Sequence, residues 1–157
     1  MGKQLRNEDK DKKKYENSKV KDLAVHAEKF LYYEEVILGK SYNTVRSYRR
    51  DIYQFIDYLD EYEKITKFDE VETITVRSFI AYLNSGDKSR QASTESNGEK
   101  KEKSVNPVSK RSINRKISAL RTFFKYLQEK QVVKVNKISY IAMPKFEKEL
   151  PNILNKE

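Results

Sequence analysis

The chain has 157 residues, 37% of them hydrophobic and 36% charged, with a net charge of +9, four glycines, three prolines and no cysteine. That length suits one ordinary domain with tails, and so few turn formers speak against a turn-rich β architecture. The missing cysteines exclude disulfides, thiolate catalysis and cysteine-based zinc sites; no apolar run nears the roughly 18 residues of a bilayer span, and no apolar signal core opens the chain.

Residues 1–20 are almost wholly polar, with Lys12, Lys13 and Lys14 at their centre, and read as a disordered arm. A first helix is expected from about Asp22 to Leu38, where Leu23, Ala27, Phe30, Leu31, Glu34 and Ile37 or Leu38 trace an apolar stripe at helical spacing and Gly39 follows as a stop. A second runs from about Asn43 to Glu61, with Ser41 or Asn43 as its cap. Its core stripe is Val45, Tyr48, Ile52, Phe55, Ile56 and Leu59, and its other face carries Thr44, Arg46, Ser47, Arg50 and Gln54. A third spans about Thr73 to Asn84, with Thr75 as a cap candidate and Val76, Phe79, Ile80 and Leu83 packing inward.

From Ser85 to Ser104 the only apolar residue is Ala92, so residues 85–107 are read as a mobile polar loop. A fourth helix starts near Val108 or Ser109 and ends near Lys130, with Ile113, Ile117, Leu120, Phe124 and Leu127 as its core stripe. Its opposite side presents Arg111, Ser112, Arg115, Lys116 and Ala119. A short helix or extended segment follows over Val132 to Met143, and residues 144–157, with Pro144 and Pro151, read as a linker. The whole is an all-α, compact bundle of four to five helices.

Charge is unevenly placed. Residues 105–130 hold seven bases against Glu129 alone, a surplus of six. Both the second and the fourth helix put arginine or lysine in their first turns, although the helix dipole favours acids there by roughly 0.3–1 kcal/mol each. Cations kept at that end, beside hydroxyl side chains, suit an anionic partner, and duplex DNA offers both phosphates and base edges. A solvated basic face is the plain alternative.

Side-chain catalysis asks for a base, a nucleophile and an oxyanion or metal device. The single histidine, His26, falls between core positions of the first helix and reads as a boundary residue. Neither metal-ligand spacing nor a phosphate-cradling glycine loop is present. No cofactor is expected, and no catalysis by this chain alone.

Three blocks carry a family resemblance: Ser41-Tyr42-Asn43-Thr44 with Tyr48-Arg49-Arg50-Asp51-Ile52 and Phe55; Ser112 to Leu127; and Pro144-Lys145 with Leu150-Pro151 and Leu154. The sequence resembles the N-terminal core-binding domain of tyrosine recombinases, the Xer and phage-integrase group with a SAM-like helical fold. The resemblance implies half of a C-shaped clamp around a recombination site in double-stranded DNA. The other half would supply the tyrosine nucleophile, and a catalytic domain is expected beyond the linker. It also implies other recombinase subunits in a tetrameric synapse for the full-length protein, a monomeric isolated domain, no membrane partner, and a cytoplasmic, nucleoid-associated setting in a bacterium or archaeon.

The DNA-facing positions expected are Thr44, Arg46, Ser47, Arg50, Lys110, Arg111, Ser112, Asn114, Arg115, Lys116 and Arg121, with no catalytic or metal-ligating residue. For Ser47, Asn114 and Arg121 a cap, a boundary hydrogen bond or an intrahelical pair explains the residue equally well. One departure from the family pattern is the polar loop, where a short turn is usual. A helical protein-interaction module is the second reading; it would show an exposed apolar patch, whereas the apolar residues here look fully used by the core stripes. A free-standing DNA-binding regulator is the third.

Overall fold

The computed structural model describes residues 7–85 and 108–141. The loop expected beyond Ser85 and the linker expected at 144–157 lie outside the described residues. Among those described are five α-helices and no strand.

Helix α1 (Asn7–Tyr15) corrects the expected disordered arm. Its only apolar anchors are Tyr15 and, just beyond, Val20, both buried. The Tyr15 ring stacks on Tyr53 with centroids 5.2 Å apart, and its hydroxyl donates to Asp57. Asp11 accepts from Arg49 at 3.0 Å. Polar partners distant in sequence hold this helix, so no apolar periodicity announced it.

Helix α2 (Lys21–Tyr32) buries Leu23, Ala24, Ala27, Phe30 and Leu31, then widens into a π turn at Tyr33–Ile37. Gly39 at φ +67 ends it, and the Lys40 N–H reaches back to the Glu34 carbonyl at 2.9 Å. Only the backbone conformation favours glycine here, since an added Cβ would meet nothing within 4 Å. Helix α3 (Tyr42–Tyr58) ends the same way: a π turn at Leu59–Glu63, Lys64 at φ 54, and the Ile65 N–H on the Leu59 carbonyl at 3.2 Å.

Helix α4 (Thr73–Ser85) follows a 3-10 turn at Phe68–Glu70. Thr75 lies inside α4, where its hydroxyl accepts from the Glu72 N–H at 3.2 Å, rather than at the cap. Helix α5 (Lys110–Glu129) leads to a strap ending in a 3-10 turn at Lys137–Tyr140. Arg121 donates to the Ile141 carbonyl, and Lys137 pairs with Glu72 at 2.6 Å, tying the strap to α5 and to the start of α4.

The core is aromatic. Phe55 meets Phe79 at 5.1 Å, and Phe68 meets Phe123 at 5.1 Å and Phe124 at 5.7 Å, all near edge-on. Each such pair adds about 0.5–1.5 kcal/mol to what area burial contributes. The apolar residues are not all used, however. Tyr32, Val36, Ile37 and Leu38 are exposed together at the end of α2, so neither Ile37 nor Leu38 continues the expected stripe. No helix among the described residues is long and apolar enough to cross a membrane.

Candidate nucleic-acid interface

Helices α3 and α5 begin alike. Ser41, extended at φ −64 and ψ 153, accepts from the Thr44 N–H at 3.2 Å and donates to the Thr44 hydroxyl at 2.9 Å. Ser109, at φ −61 and ψ 152, does the same with Ser112 at 3.2 and 3.1 Å. These are N-caps with a hydroxyl in place of the usual acid three residues on. Thr44 and Ser112 each accept from the capping serine, so each keeps its own proton to give to an anion. Neither helix has an acid in its first turn.

The two helices pack together. Asp51 of α3 meets Arg115 and Lys116 of α5, and further along Phe55 meets Phe124 at 6.4 Å. Both contacts advance toward the C-termini together, so the two capped ends lie at one end of the bundle. Arg46 and Arg50 stand four residues apart on α3, as Arg111 and Arg115 do on α5. Like charges at that spacing oppose helix formation by a few tenths of a kcal/mol.

Arg46, Arg50, Lys110 and Arg111 are exposed, and no hydrogen bond or ion pair within the described residues engages them. Ser47 is half-buried beside them. Asn114 is half-buried, with its Oδ1 enclosed and lacking a partner. Arg121 is half-buried and serves the strap through Ile141.

Two positions depart from the expected outer face. Lys116 is buried, its side chain 7% exposed, and its Nζ donates to Asp51 Oδ1 at 3.0 Å. Ala119 is buried as well. The inward stripe of α5 is wider than read, taking in Ile113, Lys116, Ile117, Ala119, Leu120, Phe123, Phe124 and Leu127. A packed helix commonly buries such a broad stripe.

Arg115 occupies the boundary. Its side chain is 46% exposed, yet Nε and Nη2 both donate to Asp51, which is itself fully buried, at 3.2 Å each. The Asp51 cluster thus carries one net positive charge. Sequence reasoning missed Asp51 as an organising residue. The signal was there: it lies three residues after Tyr48 and four before Phe55, an acid on the core stripe.

The neighbouring Arg49 has another fate. It is buried and donates to Glu28 at 2.5 and 3.0 Å and to Asp11. Burial works against its charge, but the Glu28 and Asp11 carboxylates win and hold it firmly protonated. Tyr53 also donates to Glu28, at 2.6 Å, and burial followed by that carboxylate pushes its hydroxyl well above the ordinary range. His26 is half-buried against Phe68 at 6.3 Å, its pKa lowered by burial and then by Lys29. No group of three or more acids or histidines suited to a metal occurs among the described residues.

Residues 28–97 match the family model of the phage integrase N-terminal SAM-like domain. The tyrosine recombinase XerC of Leptospira interrogans is 31% identical over 125 residues, covering 80% of this chain and 33% of that protein. The tyrosine recombinase XerD of Listeria innocua is 29% identical over 126 residues, covering 80% and 36%. That of Oceanobacillus iheyensis is 25% identical over 130 residues, covering 83% and 37%. The chain therefore spans about a third of the length of these relatives. No solved structure matches. The helical fold, the matched segment and these relatives agree: residues 28–97 are similar to the phage integrase N-terminal SAM-like domain, and the chain is similar to the Xer tyrosine recombinases over that part of their length.

Proposed function

We propose that this chain is the DNA-binding half of a site-specific tyrosine recombinase, holding one side of a recombination site while other parts of the protein cleave and rejoin strands. One observation carries the reading: the first halves of two serine-capped helices carry Arg46, Arg50, Lys110 and Arg111, which have no partner among the described residues. Such an end fits the phosphates on either side of a groove. The names of the relatives support the recombinase part. Assembly with further subunits, a monomeric isolated domain, and action on cytoplasmic, nucleoid-associated DNA belong to the same proposal.

Fluorescence anisotropy with a labelled duplex at several salt concentrations tests it. Four cations without a partner among the described residues and one net charge at the Asp51 cluster should neutralise about five phosphates, giving a slope of log K against log salt near −4 to −5. No binding at low salt would overturn the reading. A protein-docking module has one observation in its favour, the exposed Tyr32, Val36, Ile37 and Leu38 at the end of α2.

A further inference from the structure

A carboxylate buried as completely as Asp51 needs a compensating charge. Lys116, itself buried, already supplies one at 3.0 Å. A second cation is not required for neutrality, yet Arg115 brings one and remains half exposed. Its Nε and Nη2 are both committed to Asp51, while Nη1 has no partner among the described residues. Asp51 sits on α3 and Arg115 on α5, so the contact also fixes the α5 arginine pair against the α3 pair.

We infer that Asp51 is a positioning residue for DNA recognition: it holds the Arg115 guanidinium by one edge so that the other is presented, already ordered, to a phosphate or base edge. This rests on the DNA-binding reading above. The geometry favours positioning over simple charge balance, because a guanidinium held side-on keeps a planar fork free, which an ammonium cannot do. An arginine fixed before DNA arrives also has less freedom left to lose on binding. By bare charge, Asp51 would repel DNA; by position, it helps DNA bind. The two accounts predict opposite signs.

The test is anisotropy with a fluorescein-labelled duplex, using the whole chain, on wild type, Asp51→Asn, Arg115→Ala, Arg115→Lys and the double variant D51N/R115A. Losing one ordered, charge-assisted contact should weaken binding about tenfold. Asp51→Asn and Arg115→Ala should each show that loss, with the double variant no weaker than Arg115→Ala alone. Arg115→Lys should keep the salt slope but not the affinity. Tighter binding by Asp51→Asn overturns the inference, as does an equal loss in the Arg115→Ala background, which would mark a merely structural role. Removing Asp51 leaves Lys116 buried without its partner, so D51N/K116M, with and without Arg115→Ala, runs the same cycle wherever melting shows Asp51→Asn unfolded. Wild type that fails to bind sinks the DNA reading itself; wild type that binds while Arg115→Ala binds equally well sinks only this inference.

Discussion

Arg46, Arg49 and Arg50 lie within five residues of one helix and meet opposite ends. Arg49 turns toward α1 and α2, where Glu28 and Asp11 consume its charge. Arg46 and Arg50 are exposed, and no described residue pairs with them. One seam of the molecule converts charge into structure; the capped ends of α3 and α5 leave charge unspent. Helix phase decides which happens, since successive residues step about 100° around an axis with 3.6 residues per turn.

The contrast is sharpest against a purely apolar loss. Phe55→Ala, in the aromatic centre, should lower stability by about 3–5 kcal/mol by thermal or denaturant melting. Arg49→Ala should cost less, about 1–3 kcal/mol. Its partners Glu28 and Asp11 keep 15% and 28% of their side-chain surface exposed, so water repairs part of the damage. A melting curve for Arg49→Ala that overlays wild type would erase the distinction between seam and capped ends.

Glu34 tests the seam idea from the other side, being a buried acid with no salt bridge among the described residues. It is 3% exposed and its Oε2 has no hydrogen-bond partner. Burial raises its carboxyl above the ordinary value, with Lys40 opposing. An acid with a raised pKa in the folded state favours folding while protonated, and that advantage fades as pH climbs past its unfolded value. Glu34→Gln should therefore melt above wild type at neutral pH, with the gap closing below about pH 4.5. A gap independent of pH would assign the effect to packing.

The smallest effect on stability belongs to the free cations. Arg46→Ala and Arg111→Ala should each shift stability by no more than about 0.5 kcal/mol, yet each should reduce the magnitude of the salt slope of DNA binding by about 0.9. Equal loss of stability in Arg46→Ala and Arg49→Ala would mean that phase does not sort these residues.

Four of the helices were legible in the sequence because apolar spacing is a local signal. Val45, Ile52, Phe55 and Leu59 announce α3 without reference to anything outside it. The fates of the charges were not legible. Arg49 is decided by residues 21 and 38 positions away, and Lys116 by one 65 positions away. Helix α1 escaped notice for the same reason, being held by Asp11 and Tyr15 through α3 rather than by a stripe of its own. Of the expected DNA-facing positions, Arg46, Arg50, Lys110 and Arg111 are exposed and have no partner among the described residues. Lys116 is taken by a partner that only the fold brings near.

The Val108 N–H donates to the Leu83 carbonyl at 3.1 Å, so the last turn of α4 and the approach to α5 are stitched together. Leu83 and Val108 therefore stand one hydrogen bond apart in space although they are distant in sequence. Joining ends already held in contact costs only about 0.6 kcal/mol more for each doubling of the length between them. For a protein engineer this is a socket: the two ends sit one hydrogen bond apart, so a peptide tag inserted between them should burden the bundle little, which an unchanged melting temperature would show.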